Sequence, residues 1–431
     1  MKTHKLIIAA IVAAGMAGSA SAQTVINITG ATAFRQAAHQ AILDSFDAGV
    51  EYGYQSTNIG NAGRAIFSGT INAGADAVVV RTSWSGSVAG IRAVVNQADA
   101  VTYYKADAST LGVLTTGGQN NLQSNGAVTT EAVTTNSICF ADNSQDNTPF
   151  DAVTLLGGPA GVAVFVPVVN ETSLLTEGDS ISTLQLRTLM KSGKAPLQFI
   201  TGNSSHSGKK IYWTGRQDTS GTRVIYLSEM GVGASTAINQ YRIAPLDTTE
   251  TSATSVQLWP TGDTTNRSII WQADTAGNGG YSSGGALAPA LKRTSASVTE
   301  LNAAGGTVAS GVDAVLISVI SSQEGQDIQN GAGKVLAFNG TYIEPEALPT
   351  GISETDKDKI RKGDYTLWSY ERFLYRDDIS DQPTLDFIAS METNVALASN
   401  IGGNGVAISE MKVSRPAATD GGSLTVLGTL P

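Results

Sequence analysis

The sequence predicts an α/β protein, and two observations carry that reading. First, the chain repeats one unit: a β-rich run, a Gly/Ser/Thr turn, then a segment of helical period. Thr24-Val25-Ile26-Asn27-Ile28 leads into the turn 29–33, residues 75–81 lead into 82–87, and Lys210-Ile211-Tyr212-Trp213 leads into 215–222. Second, 161–169 and 313–320 are continuous β-branched runs, the pattern of strands buried on both faces. Such units lay helices over a sheet and put their turns at the carboxyl ends of the strands.

Taken in order, helices are expected at about 34–46 and from 88 to about 97. Residues 104–135 are rich in Gly, Asn, Thr and Ser without a period, so they read as a long excursion with at most a short helix. Ile138-Cys139-Phe140 is a strand delivering Asp142 into a polar turn. An amphipathic helix spans 182–191, and Gly193 can close it. Ser282 or Ser283 can cap a helix to about Arg293. Val335 to Phe338 followed by Asn339-Gly340 suggests a hairpin. Residues 365–370 are aromatic and strand-like, a helix follows near 385–397, and the chain from Arg415 reads as a loose tail. The repeated unit is one of pattern only, and no internal sequence repeat is present.

The N-terminus predicts export. Lys2, His4 and Lys5 precede the apolar run 6–14, and Ala20-Ser21-Ala22 is a small-residue cleavage site before Gln23. That run is too short for a membrane anchor, and no later stretch reaches the ~18 apolar residues a span needs. With 1–22 set aside as a signal peptide, about 409 residues remain, enough for two or three domains. The expected location is periplasmic or secreted.

Composition narrows the function. A net charge of −10 argues against a nucleic-acid partner. Cys139 is the only cysteine, which excludes an intrachain disulfide, and it reads as a small buried hydrophobe. His4 lies in the signal segment, and His39 and His206 have no ligand-like partners at metal spacing. No metal site, cofactor or histidine-based triad is expected, and the chain does not read as an enzyme.

The stretch Gly215-Arg216-Gln217-Asp218-Thr219-Ser220-Gly221-Thr222-Arg223 is the most informative. Ser220, Gly221 and Thr222 fall where a helix start leaves backbone N–H groups without partners and carries the positive end of the macrodipole. Arg216 adds a planar fork of donors, and Asp218 can hold that fork still. On these residues alone a capped helix beside a surface ion pair is an equal reading. Three further polar turns join it, at 30–34, 83–87 and 141–144. Several helix starts plus one acidic acceptor suit a tetrahedral oxyanion that still bears a proton.

In this order the motifs resemble the phosphate-binding proteins of bacterial ABC importers, within the two-lobed, type II periplasmic binding proteins. Ile28-Thr29-Gly30-Ala31-Thr32-Ala33-Phe34 resembles the family's first turn, Trp84-Ser85-Gly86-Ser87 its Ser-Gly loop, and Phe140-Ala141-Asp142 its acidic turn. Arg216-Gln217-Asp218-Thr219-Ser220-Gly221-Thr222 matches Arg-x-Asp-x-Ser-Gly-Thr, the most specific of these signals. Gly277-Asn278-Gly279-Gly280 and 365–370 match late landmarks. The likeness spans about 25–375 through short motifs. Ala33 is extra, a proline is missing from the first turn, and the spacer before the third turn is long.

The resemblance implies two α/β lobes joined by two crossover strands, at 161–169 and 313–320, around a ligand cleft. Residues 23–165 and 313–431 would form one lobe and 166–312 the other. It implies inorganic phosphate as ligand, an ABC permease as partner, and a monomer. Arg216 would clamp the anion and Asp218 would orient it. Ser220, Gly221, Thr222, Thr32, Phe34 (backbone), Ser85 and Ser87 would donate, and Asp142, with Asp99 as its competitor, would accept the proton of hydrogen phosphate. Helix capping is the ordinary alternative for Ser85 and Ser87, a turn acid bonding its own backbone for Asp142, and core packing for Trp84 and Trp368. A secreted surface or matrix protein that keeps this fold without transport is the rival from another class. Phosphoryl transfer ranks behind both because no metal ligands cluster.

If the N-terminal segment is removed on export, mass spectrometry of the exported protein should find Gln23 at its N-terminus. A retained Met1 would overturn this reading.

Overall fold

The computed structural model describes residues 23–170, 174–244, 252–263, 271–331, 333–347, 351–397, 405–416 and 419–427. The expected signal peptide, 1–22, lies outside them.

The protein is α/β. Among the described residues its main sheet has 12 strands: ten run from the Lys194–Pro196 edge through Lys210–Trp213, Ala314–Ser321, Leu156–Val169, Trp368–Tyr375, Ile138–Ala141, Thr24–Gly30, Asp76–Trp84 and Arg64–Ile71 to Glu51–Tyr54, and Lys334–Val335 and Gly405–Val406 pair with Leu156–Val169 off this path. The strand–turn–helix units are present, with helices Arg35–Asp44, Ser87–Asn96 and Gly221–Glu229 following their strands.

Two main hydrophobic cores divide the molecule into lobes. One gathers Ile26, Ile28, Phe67, Val80, Phe140, Phe373 and Phe387. The other gathers Val162 to Val169, Trp213, Tyr226, Trp259, Ile317 and Trp368. Two strands contribute to both. Leu156–Val169 places Ala160 in the first core and Phe165 in the second, and Trp368–Tyr375 places Trp368 in the second and Phe373 in the first. They pair antiparallel along most of their length, Trp368 opposite Val164 and Tyr375 opposite Leu156.

The first of these strands passes from one core to the other between Ala160 and Val162, at the start of the expected crossing run 161–169, and the second to do so is Trp368–Tyr375 rather than the expected run 313–320. Ala314–Ser321 stays in the second core, between Lys210–Trp213 and Leu156–Val169. Residues as late as Tyr370, with Val406, Met411 and Val413, also pack there, so a return to the first lobe at 313 does not match the packing. The reason is physical: a fully buried β-branched strand has one appearance in sequence, whether it stays in a core or leaves it.

Local signals are realised where a side chain bonds the neighbouring backbone. Ser182 and Gln185 form a capping box on Thr183–Ser192, and Gly193 ends that helix in the left-handed region at φ 78°. Ser283, rather than Ser282, caps Gly284–Leu291. Asn339 and Gly340, at φ 50° and 86°, make a tight two-residue turn between Phe338 and Thr341. Within the excursion Thr130–Val133 pairs antiparallel with Val101–Tyr104, which leads into it, and Leu114, Leu122 and Val128 pack against Ile66 and Val79 of the main sheet.

Helix Glu354–Lys362 escapes a periodicity search because Ile360 is its only large apolar residue. Charge pairs such as Arg361 with Glu354 and Asp358 lace its surface instead.

The segment from Arg415 is not loose where it is described. Arg415 is buried against Glu229 at 2.8 Å. Asp420 is buried, pairs with Arg372 at 3.1 Å and accepts the Ser144 N–H at 2.8 Å. Removing one member of a buried pair typically costs about 3–5 kcal/mol. Asp420→Ala should lower stability by that order in urea unfolding, and a variant within about 0.5 kcal/mol of wild type, as for a plain surface change, would show the segment to be peripheral.

Candidate functional site

Three strands of the first lobe end level with one another. Gly30 lies opposite Trp84 on one side and Phe140 on the other. Their turns are bonded together, the Gly86 N–H to the Gly30 carbonyl at 2.8 Å and the Ala31 N–H to the Phe140 carbonyl at 2.9 Å. Gly30 has φ +118°, and a Cβ there would overlap the Phe140 carbonyl oxygen, so only glycine fits.

The loop 214–220 of the second lobe meets these turns. The Thr219 carbonyl accepts the Val88 N–H at 3.1 Å and the Ala89 N–H at 3.4 Å, at the start of helix Ser87–Asn96. Ser87 Oγ donates to Asp142 Oδ1, and the Asp142 N–H reaches Ser87 Oγ at 3.3 Å. The Asp142 carboxylate lies against Gly221, where any Cβ would overlap it and crowd Ser87 Oγ. Ser87, Asp142 and Gly221 thus share one buried junction.

Arg216 belongs to the same electrostatic cluster. Its guanidinium donates to the carbonyls of Tyr281 at 3.2 Å and Ser282 at 3.1 Å. Burial lowers its pKa, opposed by the negative charge of Glu324 and then of Asp142. Glu324 also faces Arg35, and burial raises its own pKa against both arginines. Burial lifts Asp142 from 3.8 to about 6. The Ser87 hydroxyl and Arg216 pull it down, and Asp420 pushes it up. Glu371 is fully buried, and its residue neighbour Arg372 pairs with Ala141, beside Asp142. Burial first and the Asp142 charge second raise Glu371 well above the ordinary carboxylate range.

The Asp218 carboxylate was expected to hold the Arg216 fork. It instead accepts the backbone N–H groups of Trp271 and Gln272, each at 3.0 Å, while Trp271 Nε1 donates to the Asp218 carbonyl at 2.8 Å. Arg223 holds the loop: it donates to the carbonyls of Arg216 at 3.0 Å and Gly279 at 3.2 Å, to Gln272 Oε1 at 2.7 Å, and to Asn278. The Gly277–Gly280 landmark therefore braces the motif. Ser220 heads helix Gly221–Glu229 without capping it, and its buried Oγ has no hydrogen bond among the described residues. Thr222 is buried beside it in the first turn.

The remaining candidates lie apart. Phe34 begins helix Arg35–Asp44 and packs its ring 6.1 Å from that of Phe140, and Thr32 is half-buried in the turn before it. Ser85 is exposed, with its Oγ 3.4 Å from Thr29 Oγ1, and lines a cleft of about 590 Å3. Asp99 lines the same cleft and is paired with Arg92 at 2.7 Å, so of the two competing acids only Asp142 stands at the junction.

Trp84 and Trp368 are core residues. Trp84 donates to His39 at 3.0 Å, and burial lowers the His39 pKa to about 3, which keeps that ring neutral. Cys139 is buried and its thiol pushed up by burial. Glu324, Arg35 and Glu371 were missed because none lies in one of the four turns, and the bracing role of Arg223, which closes the motif stretch, was missed because its partners Gly279, Gln272 and Asn278 lie elsewhere in the chain. Only the tertiary fold brings them together.

No protein-family model matches the chain, and no curated protein sequence does. Among solved structures, the chain is similar to an ABC-type phosphate transport receptor from Vibrio cholerae, with 15% identity, 86% of this chain and 94% of that one covered, and a TM-score of 0.43. It is also similar to a Clostridium perfringens protein solved with bound phosphate and assigned as a phosphate ABC transporter substrate-binding protein: 11% identity, 89% and 100% covered, TM-score 0.44. A high-affinity periplasmic phosphate-binding protein solved with phosphate at pH 8.5 gives 14% identity, 89% and 90% covered, and 0.38. TM-scores this low lend no weight to any ligand.

A raised carboxyl holds its proton more tightly in the folded chain than in the unfolded one. Its contribution to stability is full below 3.8 and is lost as pH rises to about 6. Ligand-free Asp142→Asn should therefore melt above wild type at pH 7.5, with the gap closing toward pH 4. Thermal unfolding at both pH values checks this, and a gap that widens toward pH 4 would contradict it.

Proposed function

We propose that this is an exported solute-binding protein that takes inorganic phosphate, or a similar tetrahedral oxyanion, between its lobes for ABC-type uptake. The observation that carries the reading is the junction itself. Ser87 and Asp142 from one lobe and Arg216, Ser220, Gly221 and Thr222 from the other supply donors, a cation and one carboxylate. That is the set a singly protonated phosphate needs. The buried Ser220 hydroxyl adds a donor without a partner among the described residues, which a ligand oxygen would satisfy.

Entry requires the lobes to part, since Thr219 occupies the first N–H groups of helix Ser87–Asn96. The two strands that belong to both cores, Leu156–Val169 and Trp368–Tyr375, are the natural hinge. We place one lobe at about 23–160 with 373–397, and the other at about 162–370 with 405–414. Phosphate would take over the N–H groups that Thr219 releases. Binding needs no nucleophile or acid–base pair, so we assign no catalytic role. Among the described residues no helix is long and apolar enough to cross a membrane. The protein would act as a monomer that docks on a permease.

One observation favours the rival reading, a secreted structural or adhesion protein that keeps the fold. The contacts of Thr219 with Val88 and Ala89, and of Asp142 with Ser87, close the junction with the protein's own groups.

Calorimetry with phosphate, sulfate and arsenate separates the two. Wild type should bind phosphate, and Arg216→Ala should weaken that binding by about 2–5 kcal/mol, the range for truncating one partner of a buried charged contact. A folded Arg216→Ala protein with unchanged affinity would remove the site, and absence of binding by wild type would favour the structural role.

A further inference from the structure

A cleft of about 590 Å3 adjoins the junction: Ser85 and Thr219 line it, whereas Ser87, Asp142, Arg216 and Gly221 do not. Its wall comes from both lobes, with Gln217 and Thr219 of the motif loop facing Ser85, Arg64, Arg92 and Asp99. It is not merely an open mouth between separated lobes, because the lobes already touch where Thr219 meets Val88 and Ala89. The volume falls in the roughly 300–1,000 Å3 that small organic ligands occupy, and a bare oxyanion would fill only a corner of it.

The chemistry of the wall is polar and cationic. Arg92 and Asp99 form a two-pronged pair, with 2.7 Å from Nε to Oδ2 and 2.7 Å from Nη2 to Oδ1, so their charges balance. Arg64 Nε donates to the Thr102 carbonyl at 2.9 Å, which anchors the guanidinium and engages one of its donors. Arg64 therefore leaves the cleft with a net positive charge. The cleft and the junction are neighbours along the chain: Ser85 is exposed to the cleft, and Ser87, two residues on, bonds Asp142 in the junction. Residues 99–102, between helix Ser87–Asn96 and the excursion, build the outer wall.

We infer that the ligand of this protein carries an organic arm: it is a small phosphate monoester whose phosphoryl head sits at the junction and whose polar arm lies in this cleft against Arg64, Gln217 and the Arg92–Asp99 pair. This rests on the reading of the junction as an oxyanion site and names the substrate class of that site. Head and arm together bridge both lobes, so an ester holds them closed through more contacts than inorganic phosphate does.

The test is calorimetric titration with inorganic phosphate and with glycerol 3-phosphate as the probe ester. Wild type should bind the ester about tenfold tighter than inorganic phosphate. Arg64→Gln should weaken ester binding by about fivefold while leaving inorganic phosphate within about twofold. Ala100 is exposed on the cleft wall, so Ala100→Phe fills the cleft without disturbing the core and should act in the same direction. Inorganic phosphate binding as tightly as the ester, or both variants leaving ester affinity untouched, would overturn the arm and leave the oxyanion site standing. If neither compound binds wild type, the oxyanion reading falls and takes the arm with it.

Discussion

The structure depends on one contact between lobes: the motif loop resting on the level ends of three strands. The Thr219 carbonyl caps helix Ser87–Asn96, and the Asp142 carboxylate sits against Gly221. Neither contact tolerates a bulkier residue. At Gly30 a side chain would overlap the Phe140 carbonyl, at Gly86 it would crowd the Thr219 carbonyl, and at Gly221 it would displace the acid. The glycines of the first, second and fourth turns are therefore there for close approach, of backbone to backbone at Gly30 and Gly86 and of the Asp142 side chain to backbone at Gly221. That approach presents several helix starts to one small volume.

Burying charge at such a point is costly, by several kcal/mol per ion, unless opposite charges and dipoles answer it. Here they form a chain. Arg216 is answered by Glu324 and Asp142, Glu324 by Arg35, and Arg372 by Asp420. The upward shifts of Asp142 and Glu371 show that burial outweighs the answering charge at both. A ligand anion entering this cluster would meet arginines whose burial has already been met by the fold. It would also meet acids that hold their protons more readily than in water.

Support for the cluster lies well behind it. Arg223 and the Gly277–Gly280 turn fix the main chain of Arg216, and Trp271 and Gln272 fix Asp218. The segment after Arg415 reaches back through Asp420 to the turn after Asp142. The position of Arg216 is thus decided by nearby Arg223 together with Tyr281 and Ser282, which lie more than sixty positions away in the chain, and the acidic turn is braced from nearly the C-terminus.

By itself the sequence determined the local units. Strand, turn and helix at the first, second and fourth turns follow from periodicity and from Gly, Ser and Thr at fixed offsets. The capped helices at Ser182 and Ser283 and the Asn339-Gly340 turn follow from side chains that bond their own neighbourhood. The motif residues Ser87, Asp142, Arg216 and Gly221 were legible for the same reason, since each sits at a strand end or helix start. Tertiary structure alone decided which buried strand crosses between lobes, because Ala314–Ser321 and Leu156–Val169 carry the same β-branched pattern. It alone gave Asp218 to backbone N–H groups instead of Arg216, and turned Ser85 to the cleft while Ser87 faced the junction. It alone gathered Arg35, Glu324 and Glu371 around the site. Local pattern records what a residue does to its own backbone. The partner of a buried charge is chosen by packing across hundreds of residues, and single-chain periodicity carries no trace of that choice.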